Sequence, residues 1–342
     1  MAHFAFVFPG QGSQFVGMGA LLADAYPSAA AAFAAADAAL GEHLAGLIRE
    51  GPAAQLDQTE NAQPALLATS MALLAALRDH VDAEGLTLRP AFAAGHSMGQ
   101  YSALVAAGAL SFADGLRLVR ERGRQMQASG EGRPGAMAAL IGLDDGRLPE
   151  LVERASAFGV FSVANRNAPG QVVVSGGRPA VEASLEIARA LGARKSILLP
   201  ISIGAHSALM ADAALAMAVV LSTVRFADPD PPLLANATAA IIRDAGAARR
   251  ELVEHLTAGV DWVAAVEAMA AAGVDTFVEV GPGRVLSGLI RRIAPHAHVL
   301  PLDDPSAAGG LSAAAVEAVL AASAGAARIA PAFAPAEEVS RA

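Results

Sequence analysis

The pentapeptide Gly95-His96-Ser97-Met98-Gly99 restricts this chain more than any other feature. Before it, "RPAFAA" is a short apolar run of strand character. After it, "GQYSALVAAGAL" is spaced as a helix. A strand that turns into a helix within five residues needs small residues on both sides of the turn. Such a turn lifts the serine side chain off the sheet, and the helix that follows directs its free N–H groups at any charge that forms there. The pattern alone leaves two readings of Ser97 open, an activated nucleophile or a tight structural turn.

The rest of the chain fits strands alternating with helices around a mainly parallel sheet. "FAFVFPGQG" reads as a first strand ending in a glycine-rich loop, "QPALLATSMALLAALRDH" as one buried helix, and "SFADGLRLVRERGRQMQ" as a helix capped by Ser111. Between 129 and 198 the order becomes strand, helix, two strands around the turn in "VFSVANRNAPGQVVVSG", helix, and a closing strand in "RKSILLPIS". That order matches a ferredoxin-like unit. The expected organisation is a catalytic body from 1–128 and 199–306 with a small α+β subdomain, 129–198, inserted in it. An Ala/Pro-rich tail, 307–342, is expected to be partly disordered, with one short helix at 313–322.

Hydrophobic residues make up 54% of the 342, enough for a large core. A net charge of −9 argues against a nucleic-acid binder that works by neutralising phosphates. The absence of cysteine excludes disulfides, thiolate metal sites and a cysteine nucleophile, and suits a reducing cytoplasm. The first residues read as a strand and not as a signal peptide, and no uninterrupted apolar stretch reaches the length of a membrane span. No heptads call for a partner, so a monomer is expected.

A serine nucleophile needs a base. His206, in "PISIGAHSALMADAA", follows a strand and precedes a helix far downstream of Ser97. A lone histidine is also a common structural residue, so the pattern leaves its role open. Asp212 falls helically past it and makes a poor third member of a triad. A serine–histidine dyad, with the imidazole oriented by a carbonyl or amide, fits better.

Six ordered blocks then carry a resemblance: "FPGQGSQ" at 8–14, "GHSMGQYSALVAAGAL" at 95–110, "RLVRERGRQMQ" at 117–127, "NAPGQVVVSG" at 167–176, "AHSALM" at 205–210 and "VEVGPGRVLSGLIRRI" at 278–293. Over residues 4–300 the chain resembles the malonyl-CoA:acyl-carrier-protein transacylases, which supply fatty acid and polyketide synthesis. The resemblance implies an α/β-hydrolase-like body with an inserted ferredoxin-like subdomain. It implies that Ser97 carries the acyl group and that His206 is the base and then the acid. Gln11 and the backbone N–H of Met98 would form the oxyanion hole. Arg122 would pair with the malonyl carboxylate through two parallel hydrogen bonds. Arg117, Arg120 and Arg124 read as a solvated helix face.

Gln63 would line the acyl pocket, its alternative being a polar residue ahead of Pro64. Asn165 and Asn167 would sit near the coenzyme A arm, with plain turn-forming asparagine as the alternative. His255 stands where the family often has a glutamine whose backbone carbonyl orients the catalytic histidine. Gln100 replaces a common glutamic acid, which changes a local hydrogen bond. Gly204 and Ala205, both small, imply a roomier pocket that would admit a 2-substituted malonyl unit. The implied partners are malonyl-CoA and a phosphopantetheinylated carrier protein, with no metal or redox cofactor. Arg189, Arg194, Lys195, Arg284, Arg291 and Arg292 are candidates for docking an acidic carrier. Two competing readings are a carrier-protein hydrolase of the same fold, which has little use for Arg122, and a non-catalytic docking module, which has none for Ser97 and His206.

Overall fold

The first strand, β1 (His3–Phe8), is apolar along nearly its whole length and buries every residue but the first, as a strand covered on both faces must. The computed structural model, which describes residues 3–327, places β1 in the middle of a six-stranded sheet. The chain then supplies β2 (Phe92–Gly95), β3 (Gly135–Ile141), β4 (Phe161–Ala168), β5 (Gln171–Gly177), β6 (Lys195–Leu198), β7 (Leu233–Leu234), β8 (Ile241–Ile242), β9 (Val260–Asp261), β10 (Val274–Glu279) and β11 (His298–Pro301). The large sheet runs β11-β10-β1-β2-β7-β8. All its pairings are parallel except β7 with β8. The register of β1 against β2 sets Phe8 opposite Gly95, so two glycine-rich loops leave the sheet side by side.

The second sheet runs β6-β3-β5-β4-β9, antiparallel except where β9 joins β4. Its first four strands, with helices Leu148–Ser156 and Arg178–Ala190, have the ferredoxin-like strand order. The fifth strand comes from residues 260–261, so this sheet does not end with the insert. β9 sets Val260 against Asn165 and ties the small sheet to the body.

Helix Thr59–Ala83 is buried on almost every side and packs against helix Phe112–Gly132. Ser111 caps the latter, accepting from the Asp114 N–H at 3.0 Å. Because that helix lies between neighbours, Arg120 is not on a solvated face. It is buried and donates to the Glu60 carbonyl at 2.8 Å and to the Glu42 and Asn61 side chains. Asn165 and Asn167 lie within β4, whereas the turn follows at Pro169 and Gly170. The segment after 307 forms a helix over Ala313–Ala327, longer than expected, and buries Ala315, Val316 and Val319 against the core. The expectation of disorder further along falls on 328–342, outside the described residues. No helix among the described residues is long and apolar enough to cross a membrane.

Candidate active site

β2 ends at Gly95 and the next helix begins at Gly99. A Cβ on Gly95 would stand 2.0 Å from the Gly99 carbonyl carbon, and one on Gly99 would stand 2.1 Å from the Phe8 carbonyl oxygen. Neither position has room for a side chain, which is why both ends of the turn are glycine. Between them Ser97 has a φ of 54°. His206 has a φ of 59°, and among the described residues Ala239 is the other non-glycine with positive φ. Such a backbone costs about 1–3 kcal/mol and persists where surroundings hold it.

Asn236 is what holds Ser97. Its Oδ1 accepts from the Ser97 N–H at 2.8 Å and its Nδ2 donates to the Gly95 carbonyl at 3.0 Å. Its own N–H donates to Glu251 Oε1 at 2.6 Å. Burial pushes the Glu251 carboxyl up to about 7. Asn236 lies just beyond β7, the neighbour of β2. In "LLANAT" it carries no sequence signal, because asparagine after a strand reads as a turn. Gln100 does what a carboxylate could not. It accepts from the Gly95 N–H at 3.0 Å and donates to the Leu234 carbonyl at 2.9 Å.

His206 Nε2 lies 2.8 Å from Ser97 Oγ, and its Nδ1 lies 2.6 Å from the His255 carbonyl oxygen. A carbonyl only accepts, so Nδ1 carries the hydrogen and Nε2 presents a lone pair to the serine. Burial, then the charge of Arg122, push the His206 imidazole down to about 3, so it stands neutral. Asp212 takes no part: it is exposed and pairs with Arg133 at 3.2 Å.

Arg122 is 1% exposed. Its Nη1 donates to Gln63 Oε1 at 2.9 Å, and its Nη2 donates to Ser97 Oγ at 3.1 Å and approaches His255 Nε2 at 3.3 Å. Its Nε is buried with no partner, and no carboxylate lies within ion-pair distance of it, both among the described residues. Burial pushes its guanidinium pKa down. A buried charge without a counter-charge is costly.

The loop after β1 lies against the turn, and the His96 N–H donates to the Phe8 carbonyl at 3.0 Å. Gln11 takes the Gln63 Nε2–H on its Oε1 at 3.3 Å. Among the described residues neither the Gln11 nor the Met98 backbone N–H has an acceptor. Asn167 Oδ1 lies 2.8 Å from His96 Nε2, so it touches the turn itself, while Asn165 is buried in β4. Gly204 is closely packed. A Cβ on Gly135 would stand 2.2 Å from the Gly204 N, and one on Gly204 would stand 2.8 Å from Leu209 Cδ1, so Gly204 packs against the Gly135 backbone and the Leu209 side chain. Of the basic candidates, Arg189 pairs with Glu186, Arg284 with Asp304, and Arg291 and Arg292 donate to the Val299 and Pro169 carbonyls.

A hydroxyl, a neutral imidazole and, among the described residues, two N–H groups without acceptors lie together over the end of a parallel sheet, the kinds of group that acyl transfer through a serine would use. Comparison with known proteins narrows this class. Residues 5–302 match the acyl transferase domain family. A malonyl CoA-acyl carrier protein transacylase of Escherichia coli O157:H7 is 45% identical over 307 residues, covering 90% of this chain and 98% of that relative. The crystal structure of an acyl-carrier-protein-S-malonyltransferase from Bartonella henselae superposes with a TM-score of 0.86 at 42% identity, covering 94% of this chain and 99% of the other. A malonyl-transacylase solved in complex with a type II polyketide synthase acyl-carrier protein superposes at 0.85 and 38% identity, covering 94% and 100%. The chain belongs to the acyl transferase family and is an acyltransferase.

Proposed function

We propose that this protein moves a malonyl group from malonyl-CoA to the phosphopantetheine thiol of an acyl carrier protein, through an ester on Ser97. The observation that carries the substrate is Arg122. Its N–H groups meet neutral acceptors, its charge meets none of opposite sign among the described residues, and it points at Ser97 Oγ. The missing counter-charge is the free carboxylate of a diacid monothioester. Relatives named for this reaction match nearly the whole chain.

Ser97 Oγ attacks the thioester carbonyl while its proton passes to His206 Nε2. The oxyanion is held by the N–H groups of Gln11 and Met98. As the C–S bond breaks, the His206 proton goes to the coenzyme A thiolate. The carrier thiol then gives its proton to His206 and attacks the ester, and the Ser97 alkoxide leaves with that proton. Gln63 holds Nη1 of Arg122 and lines the acyl site, and the His255 carbonyl keeps His206 in the productive tautomer. Asn167, through His96, and Asn165 stiffen the side of the site toward the small sheet, where the coenzyme A and carrier arms would run. The reading extends to a monomer in a reducing compartment, which the absence of cysteine suits.

Intact-protein mass after brief exposure to malonyl-CoA or acetyl-CoA tests this. Wild type gains a malonyl adduct that holo carrier protein removes, and Ser97→Ala gains none. Arg122→Ala loses malonyl loading by a factor on the order of 100 or more and keeps its acetyl loading. Equal loading by both donors refutes the carboxylate pairing. An adduct that leaves to water and not to the carrier means a hydrolase.

A further inference from the structure

His255 meets two parts of the site with two different atoms. It lies in the last turn of helix Ala245–Ala258 and is fully buried. Its backbone carbonyl takes the Nδ1–H of His206 at 2.6 Å. Its own Nδ1 lies 2.9 Å from the Glu251 carbonyl four residues earlier, and a carbonyl can only accept, so Nδ1 carries the hydrogen. The lone pair is therefore on Nε2, which faces Arg122 Nη2 at 3.3 Å, a group that can only donate. The helix backbone thus fixes the tautomer, and the tautomer makes the imidazole an acceptor for Arg122.

We infer that the His255 imidazole is a positioning residue: it fixes the Arg122 guanidinium beside Ser97 and so sets the preference for acyl groups that end in a carboxylate. The inference rests on the malonyl reading above. Gln63 Oε1 fixes one nitrogen of the guanidinium, Ser97 Oγ and His255 Nε2 fix another, and the Tyr101 ring lies 5.9 Å below its carbon. Every one of these partners is neutral, since burial and the charge of Arg122 hold the His255 imidazole well below its ordinary range. They direct the N–H groups and leave the positive charge uncancelled for a substrate. A carboxylate at 255 would direct them equally well and cancel it. An aliphatic side chain would leave Nη2 tethered only to Ser97, whose Oγ becomes an ester oxygen, a weaker acceptor, when it is acylated. From that moment His255 Nε2 is the stronger acceptor for Nη2 of the two.

The test compares His255→Leu and His255→Gln with wild type, reading the rate of coenzyme A release from malonyl-CoA and from acetyl-CoA. The backbone carbonyl that orients His206 survives both changes. His255→Leu should lower kcat/KM for malonyl-CoA by roughly 10- to 100-fold, mainly through KM, and lower that for acetyl-CoA by a much smaller factor, so that the malonyl-to-acetyl ratio falls. His255→Gln, whose Oε1 can accept from Nη2, should recover most of the loss. A wild-type malonyl-to-acetyl ratio in His255→Leu overturns the inference. So does a parallel fall for both donors in the two variants, which would place the effect in His206 or in folding. A wild type with no preference between the donors is a separate result, and it overturns the malonyl reading itself.

Discussion

Asn236→Ala should damage folding and chemistry together. The change removes hydrogen bonds of 2.8 and 3.0 Å and leaves the Ser97 N–H and the buried Gly95 carbonyl without partners. The orphaned, buried Gly95 carbonyl costs about 1–3 kcal/mol and the half-buried Ser97 N–H less, so the loss of stability should be about 2–4 kcal/mol. Part of the restraint on Ser97, whose backbone stores about 1–3 kcal/mol of strain, goes with it. The serine relaxes toward an ordinary φ and its Oγ leaves the 2.8 Å contact with His206. A misplacement of about 1 Å lowers such rates by about 100-fold. Urea denaturation gives the first quantity and the rate of acyl-enzyme formation the second. Asn236→Asp keeps the acceptor for Ser97, loses the donor to Gly95 and buries a carboxylate, so it should be no more stable than the alanine variant yet acylate faster. Stability within about 1 kcal/mol of wild type with an unchanged rate in Asn236→Ala would show that the elbow holds itself.

Two pH effects follow from the same site. The folded state raises the Glu251 carboxyl from its usual 4.5 to about 7, so between those values the folded protein binds the extra proton. Stability should therefore fall as pH rises through that window, by about 3 kcal/mol at most, and Glu251→Gln, which keeps the acceptor for Asn236, should remove the slope in urea titrations. His206 is pushed in the other direction, to about 3, and the folded state binds fewer protons than the unfolded chain between there and 6.5. Stability linked to His206 is present above 6.5 and is lost as pH falls toward 3. For the same reason acyl-enzyme formation should show no protonation of the base between about pH 5 and 8, and a titration near 6.5 that disappears in His206→Gln would contradict it.

The sequence exposed the parts whose chemistry is local. Gly95 and Gly99 are glycine for reasons that lie within a few ångströms of backbone, and the strand–turn–helix pattern around Ser97 follows from apolar spacing. The four strands from 135 to 198 have the order that their spacing suggested. What stayed hidden depends on partners far along the chain. Asn236 meets residues 139 and 141 positions away, and His255 meets Arg122 from 133 away. Arg120 and Arg122 stand two apart on one helix with the same charge. One is spent on Glu42 and the Glu60 carbonyl and the other on the site, and nothing in "RLVRERGRQMQ" separates them without knowing what covers each face. The short β9 strand could not be read at all, because two residues carry no periodicity.

If Arg122 receives the malonyl carboxylate, its uncancelled charge also determines how this site discriminates. A pocket that selects by shape gains or loses about 1–3 kcal/mol for each methylene, whereas a pocket that must satisfy a buried ionic group rejects ligands lacking the partner by far larger factors. An acyl chain without a terminal carboxylate would leave the guanidinium facing no partner of opposite charge. On the malonyl reading, then, the enzyme is strict about what ends the chain, and its errors in a mixed pool of thioesters should be other diacids far more often than monoacids of the correct length.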